Sequence, residues 1–243
     1  MGDIVKVGWS GGKDSTASVL LHLEQGDKVK AVCYVPMFTK DIPLITKEHY
    51  EFIVNTAERL RQMGAEVHII SGATYWDYVT KITTRGKYQG KMRGFPCVIA
   101  GKCGFQRDSK VKAVSNFDVG DYDYLDIGIA YDETERHSQL TADKRSILVE
   151  KKNTENMARK MCIDIGMYSP HYDKSKRDGC VLCPNAKKSE RLQWYQDYPE
   201  AYNLVLELQE KVREQYPDRQ PLRKFKWFID TKQVDLFGNY AIN

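Results

Sequence analysis

Residues 4–16 read IVKVGWSGGKDST, and the rest of the chain is organised around them. Ile4, Val5 and Val7 suit a short buried strand. The turn Ser10-Gly11-Gly12-Lys13-Asp14-Ser15 follows at once. Ser15–Leu23 then places Ala17, Val19, Leu20 and Leu23 at helical spacing. Strand, glycine turn and helix N-terminus together make an anion site, because free backbone N–H groups and the positive end of the helix dipole face the turn. Paired glycines let the backbone approach an oxyanion without a Cβ in the way. Lys13 adds a point charge, and Ser10 and Ser15 add hydroxyl donors.

The turn is not a Walker A loop, which needs four residues between Gly and Gly-Lys and a Ser or Thr after the Lys. Here Gly8 and Gly12 enclose three residues, and Asp14 follows Lys13. The G-x-G-x-x-G pattern does not fit either. Ser10–Ser15 instead resembles the PP-loop of the ATP pyrophosphatase superfamily. That resemblance implies cleavage of ATP between the α- and β-phosphates, or binding of an adenylyl sulfate.

Composition sets the outer bounds. The 243 residues permit one large α/β domain, or one domain with a smaller appended unit, and 42% hydrophobic content supports a real core. No apolar run reaches the ~18 residues of a membrane span. The N-terminus lacks a basic-then-apolar leader pattern, so a cytoplasmic location and no membrane partner are expected. The net charge of +4 is mild. Its distribution is uneven: residues 118–135 carry seven acids and no Lys or Arg. Lys81, Arg85, Lys87, Lys91 and Arg93 form a basic loop around Tyr88, and further clusters are Lys102/Arg107/Lys110/Lys112, Lys174/Lys176/Arg177 and Lys187/Lys188/Arg191. Each is either a solvated face or part of a rim for phosphates of a nucleotide or nucleic acid.

Lys28–Val35 reads as a second strand ended by Pro36, Lys47–Gly64 as an amphipathic helix and Val67–Ile70 as a third strand. That alternation implies an open, mostly parallel sheet with helices on both faces. Trp76–Thr84 and Gln106–Val114 suit short helices, and 85–105, with five Gly, one Pro and two Cys, reads as a functional loop. Tyr124–Ala130 suits a fourth strand and Ile147–Val149 a fifth. Thr154–Gly166, Lys187–Tyr195 and Pro199–Tyr216 suit helices, whereas the tail from Pro217 has no clear period. Residues 1–150 are expected to form the nucleotide-binding core, and 151–243 a helical, Cys-containing extension packed on it. Ligands of open α/β sheets lie beyond the carboxyl ends of the strands. Val35 and Met37 are therefore candidates to meet the adenine, besides their plain role as strand end and turn.

Three later stretches narrow the resemblance. Gly128-Ile129-Ala130-Tyr131-Asp132-Glu133-Thr134-Glu135-Arg136 is similar to the G-I-x-x-D-E-x-x-R segment of the phosphoadenosine phosphosulfate (PAPS) reductase-like branch. Arg177-Asp178-Gly179-Cys180-Val181-Leu182-Cys183-Pro184 resembles its R-x-G-C-x-x-C-P segment, and Tyr198-Pro199-Glu200 the Y-P-E that follows. Phe95-Pro96, Cys103 and Lys110 resemble its F-P, C and K stretch. The resemblance is strongest to PAPS reductase-like proteins of phages and mobile elements and to DNA phosphorothioation sulfurtransferases. It implies an adenine nucleotide α-hydrolase-like, Rossmann-like fold. One departure matters: PAPS reductases carry a catalytic Cys in a C-terminal E-C-G-L-H element, and here no Cys follows Cys183. That counts against sulfonate reduction through a tail thiol.

Six cysteines without a leader point to metal or catalysis before disulfides. Cys180 and Cys183 are a chelating pair, and with Cys97 and Cys103 they make a candidate four-thiolate site. Such soft donors suit either Zn²⁺ or a [4Fe–4S] cluster, and the resemblance favours the cluster. With Cys97 outside the set, three thiolates would leave one iron open to hold a sulfide, as cluster-dependent thiolating relatives imply. The expected mechanism places ATP or PAPS on Ser10–Ser15, with Lys13 and Ser15 neutralising charge that grows at the α-phosphorus. Asp14 either orients Mg²⁺ or caps the helix. Gly128 is placed where a side chain would crowd the ribose. Asp132 and Glu133 are candidates for Mg²⁺ or the acceptor. Arg136 and Arg177 would hold phosphate or sulfate through a guanidinium fork, or else pair with the acidic stretch. His171 and Tyr172 would line the acceptor side. The acceptor expected on the basic 81–93 loop is a nucleic acid, and a sulfur or electron donor is a further partner.

Overall fold

The buried strand expected at the N-terminus is Ile4–Trp9, β1, in the computed structural model, which describes residues 2–99, 102–174, 179–222, 224–234 and 238–243. Val5, Val7 and Trp9 are almost without solvent contact, and so is Lys6 on the opposite face. A strand covered on both faces belongs in the middle of a parallel sheet. β1 pairs on one side with β2 (Lys28–Tyr34), Val5 opposite Val29 and Val7 opposite Ala31. β2 pairs in turn with β3 (Glu66–Ile70). On its other side β1 pairs with β4 (Tyr124–Ile127), Gly8 opposite Ile127, and β4 with β5 (Lys144–Arg145). The order is β3-β2-β1-β4-β5, and every pairing is parallel. The α/β class follows directly.

Two strand lysines meet the loop at 117–121 through their tips. Lys6 donates to the Phe117 carbonyl at 2.7 Å, and Lys30 to the carbonyls of Val119 at 2.6 Å and Asp121 at 3.0 Å. Burial lowers the pKa of Lys6, and nearby Asp118 opposes that shift. The stems pack while the ammonium ends find oxygen.

Contact clustering divides the chain into two interleaved units, residues 1–35, 48–70 and 113–178 against 36–47, 71–112 and 179–243. The boundary expected near residue 150 thus falls inside the first unit. That unit holds the sheet with helices α1 (Lys13–Glu24), α2 (Lys47–Gln62) and α3 (Glu155–Asp164). Ala17 of α1 packs with Ala158 of α3 and Leu148. The fifth strand is not Ile147–Val149, as the apolar triplet suggests, but the exposed pair Lys144–Arg145. Ile147–Glu150 is a helical turn because the Asp126 carboxylate accepts from the Ile147 N–H at 2.7 Å.

The same Asp126 anchors a buried polar cluster. Its Oδ2 lies 3.2 Å from His22 Nε2, and Asp27 Oδ2 lies 2.7 Å from His22 Nδ1. Burial alone would depress the His22 pKa, but hydrogen bonds and charges of Asp126 and Asp27 outweigh it and raise the value.

The second unit has its own core, in which Trp194 sits edge-on to Phe38 at 5.3 Å and donates its indole N–H to the Pro43 carbonyl at 2.8 Å. Helix α4 (Lys188–Asp197) supplies Trp194, and α5 (Pro199–Gln215), with Pro199 in its first turn, supplies Ala201, Val205, Leu208 and Val212. Residues 104–116 are helical throughout, with a π turn over Arg107–Val111. The tail holds an antiparallel hairpin, β6 (Ile229–Val234) with β7 (Tyr240–Ile242). Fully buried Gln209 fastens it, donating to the Ile229 carbonyl at 2.6 Å and accepting from the Ile229 N–H at 3.0 Å.

Two outcomes follow from these buried polar contacts. Gln209→Ala leaves both Ile229 backbone groups without that partner, and urea denaturation should show a loss of about 3 kcal/mol. A loss below about 0.5 kcal/mol would mean that the hairpin does not depend on this amide. The His22 contribution should be fully present below about pH 6.5, the unfolded value, and fade as pH rises through the raised folded one. The urea-midpoint advantage of wild type over His22→Gln should therefore shrink between about pH 6 and pH 9. A constant or growing advantage would show that the imidazolium form is not the one the fold stabilises.

Candidate functional site

β1 ends at Trp9, and the chain reaches α1 through a turn shaped by two glycines. Gly11 has φ +76°, and a Cβ there would stand 2.7 Å from Ile53 Cγ1, so both backbone and packing demand glycine. Gly12 is the N-cap of α1 and has no side chain with which to cap the helix. The serines brace the turn internally: Ser15 Oγ accepts from the Ser10 N–H at 3.0 Å and donates to the Gly12 carbonyl at 3.2 Å. The two serine hydroxyls lie 3.1 Å apart, and Ser10 Oγ accepts from the Gly12 N–H at 3.3 Å. The start of a helix of this length presents partial positive charge to an anion.

Lys13 is the local cation, and two carboxylates hold it. Its ammonium donates to Asp14 at 2.7 and 2.8 Å and to Glu155 at 2.9 Å. Burial pulls the Lys13 pKa down, but these partners outweigh it and raise the value. Burial raises the Asp14 pKa; Lys13 opposes that, and Glu155 and Glu133 reinforce it. Asp14 is thus the partner of Lys13 and not the helix cap. Glu155 escaped the sequence reading because it is 142 positions from Lys13. It opens α3, whose N-cap Thr154 accepts from the Met157 N–H at 3.3 Å.

The sheet order places the chain reversal between β1 and β4, the position where open α/β sheets receive ligands. Gly128, just past β4, meets the loop directly: a Cβ on it would lie 2.8 Å from Ser15 N and 2.9 Å from Ser15 Cα. The first obstacle to a side chain there is therefore the start of α1, and not a ribose. Beyond it, Glu133 accepts from the Ala130 N–H at 3.0 Å and from Arg136 at 2.7 and 3.0 Å. Asp132 accepts from the Glu155 N–H at 2.9 Å. Asp132 and Glu133 thus shape the loop that brings Glu155 to Lys13, and Arg136 pairs with the acidic stretch.

Other expected residues are dispersed. Val35 ends β2, buried, with its N–H on the Ile70 carbonyl at 2.9 Å. Met37 belongs to the second unit, where its carbonyl accepts from the Tyr75 N–H at 2.8 Å. Arg177 lies outside the described residues. Tyr172 reaches the loop itself: its hydroxyl lies 3.4 Å from the Lys13 N–H, and its ring stacks on Tyr168 at 5.2 Å. His171 is buried beside His49, their rings 5.1 Å apart. Cys162 is a buried thiol donating to the Lys13 carbonyl at 3.3 Å, and burial pushes its pKa up to about 12, so it packs. The basic clusters also resolve unequally: Arg191 is buried on the Asn243 and Ala186 carbonyls, and Arg93 and Arg107 share Asp108, whose pKa falls to about 2.

The candidate metal thiols all lie in the second unit. Burial is the main cause of the raised pKa of fully buried Tyr75, and Cys180, Cys103 and Cys183 lie close enough to add to it. Cys103 and Cys180 pack against the core that holds Tyr75, while Cys97 is exposed. None of the six cysteines is in a disulfide. Among the described residues no three His, Cys, Asp or Glu side chains are arranged to hold a metal ion.

Comparison of the sequence with protein-family models and with curated proteins finds no match. Among the described residues no helix is long and apolar enough to cross a membrane.

The approach at Gly128 makes a sharp prediction. Gly128→Ala forces a Cβ against backbone atoms that cannot rotate aside, and should lower stability by about 2 kcal/mol in urea denaturation. An effect below about 0.5 kcal/mol would mean that the start of α1 yields to admit a methyl group.

Proposed function

We propose that the protein binds ATP, or a related adenylyl nucleotide such as PAPS, on Ser10–Ser15 and cleaves ATP between its α- and β-phosphates, in a sulfur-transfer reaction. The observation that carries this reading is the combination at the start of α1: a glycine N-cap without a side chain, two serine hydroxyls 3.1 Å apart and a lysine ammonium on the first residue of the helix. The sheet order supports it, because the loop lies at the strand-order reversal. The resemblance of the loop to the PP-loop of ATP pyrophosphatases supports the choice of nucleotide.

In this reading the backbone N–H groups of the turn take the phosphate oxygens, and Lys13 exchanges a carboxylate partner for phosphate. An acceptor oxygen attacks the α-phosphorus, and the bond to the leaving pyrophosphate breaks. Charge that accumulates on the phosphate oxygens meets donors already in place, so little reorganisation is needed. A sulfur nucleophile then displaces AMP from the acceptor. Asp14 and Glu155 hold Lys13 ready before the nucleotide arrives, and Asp14 is the loop carboxylate available to a Mg²⁺ ion brought with it. Arg136 is tied to Glu133 and steadies the loop. The thiols of Cys103, Cys180 and Cys183 support sulfur chemistry in kind, but no step is assigned to a metal cluster.

Lys13→Ala tests the reading with ATP itself. Equilibrium ATP binding should weaken at least about tenfold, and pyrophosphate release should fall about a hundredfold, with the circular dichroism spectrum unchanged. Wild-type ATP binding and turnover in this variant would remove the loop from the mechanism.

A further inference from the structure

The second unit carries a charged aromatic face that the nucleotide chemistry does not use. Residues 81–93 double back as an antiparallel loop, with Ile82 bridged to Met92 and the Thr83 N–H on the Lys91 carbonyl at 2.8 Å. The end of α5 clamps this loop. Gln215 accepts from the Met92 N–H, the Tyr216 hydroxyl donates to the Met92 carbonyl, both at 2.8 Å, and Arg219 donates to the Arg93 carbonyl at 3.1 Å.

The clamp gathers cations around two rings. The Arg219 guanidinium lies 5.3 Å from the centre of the Tyr88 ring and 5.0 Å from that of Tyr216. Lys91 lies 5.5 Å from the Tyr216 ring and Lys87 5.7 Å from the Tyr88 ring. The rings themselves meet edge to face at 5.4 Å. Arg93 of the same loop is neutralised by Asp108. By contrast, among the described residues no carboxylate forms an ion pair with Lys87, Lys91 or Arg219. Unneutralised cations interleaved with aromatic faces suit a polyanion that carries flat groups.

The turn that holds Tyr216 and Arg219 also walls a cavity. Its Pro217 and Gln220, with Glu214, Phe225, Lys226 and Asp230, line a space of about 680 Å³, within the range of small-molecule sites. Phe225 is 81% exposed, and both it and Lys224 have left-handed backbone, φ 55° and 62°. Non-glycine residues adopt that region at a cost. Gln220 Oε1 is shielded from solvent and has no hydrogen-bond donor among the described residues.

We propose that this face binds single-stranded nucleic acid. The phosphates lie along Lys87, Lys91 and Arg219, one base stacks on Tyr88, and a second enters the cavity against Phe225. Duplexes are disfavoured because their base faces are already stacked. The site belongs to the second unit alone and does not depend on cleavage of a nucleotide in the first.

Fluorescence anisotropy with the full chain tests this, using labelled oligodeoxycytidylate, oligocytidylate and a duplex, each about 12 nucleotides long. Single strands should bind at least about fivefold more tightly than duplex, and three phosphate contacts predict a slope of about −2 in log K against log salt. Tyr88→Ala and Phe225→Ala should each weaken binding about tenfold. Lys87→Glu with Lys91→Glu should weaken it further and flatten the slope. Whichever single strand binds more tightly identifies the source as DNA or RNA. Lys13→Ala should bind as wild type does, so failure of the nucleotide reading would leave this result standing. No single-strand binding at about 50 mM salt, equal binding of duplex, or wild-type affinity in Tyr88→Ala and Phe225→Ala would overturn the proposal.

Discussion

The close approach between the chain leaving β4 and the first turn of α1 is the constraint on which the candidate site depends. Gly128 comes so near Ser15 that a Cβ would be 2.8 Å from its backbone nitrogen. Only with that gap closed can the segment after β4 run past the Ser10–Ser15 turn. From there Glu133 takes the Ala130 N–H and Asp132 takes the N–H of Glu155, so the second carboxylate on Lys13 is positioned by the same segment. A missing methyl group, a strand order and an ion pair are thus steps in one chain of cause. The β1–β4 pairing sets the distance, glycine permits it, and the acidic loop converts it into charge around the lysine.

That charge arrangement has a double character. Lys13 is partly buried, and a buried ammonium is costly unless it is paired. Asp14 and Glu155 supply the pairing, and the raised pKa of Lys13 records that they more than offset burial. Asp14 shows the other side, since its own pKa is raised by burial and by neighbouring acids. The turn therefore holds an acid excess around one cation when no other anion is present. A phosphate arriving there meets the helix start and the lysine, but it also meets those carboxylates. A divalent cation accompanying the phosphate would relieve that repulsion.

The parts of the fold legible in the sequence are those whose signals are local. Strand, glycine pair and helix at 4–24 stand in consecutive positions, so their chemistry could be read without knowing what packs on them. β2, α2 and β3 follow the same logic of period and stop residue. Elements set by distant partners were not legible. Ile147–Val149 has the composition of a strand, yet Asp126, 21 positions earlier, accepts its first N–H and starts a helix. β5 is a strand only because β4 pairs with it; its two residues are exposed and charged. The tail hairpin has an irregular register between Asp230 and Val234, which erases the alternation that would have announced it. Glu155 and Tyr172 reach Lys13 only through the fold. The thiols divide in the same way. Cys180 and Cys183 are paired by sequence spacing, Cys103 and Cys180 pack against the core around Tyr75, and Cys97 is exposed.

The interleaving of the two units explains why a boundary near residue 150 suggested itself and is not the one observed. Composition changes there, from strand-rich to helix-rich, and a linear reading turns that change into a division. The chain instead passes from one unit to the other after residues 35, 47, 70, 112 and 178, each passage falling between regular elements or near their ends, as at the start of α2 and within the helical stretch 104–116. Each excursion to the second unit before residue 112 contributes side chains to a core completed only by α4, α5 and the tail: Phe38 and Leu44 from the first, Tyr75, Phe95 and Phe105 from the second. A core assembled from three separated segments requires long-range contacts, so its loop-closure entropy must be met before packing rewards it. Gln209 on α5 is the point where this requirement is met for the tail, since both of its amide atoms fasten Ile229. The residues around Tyr75 depend on that completion too, because Cys180 and Cys183 enter on the last of the three segments. The packing of Cys103 and Cys180 against that core is therefore a product of the second unit as a whole.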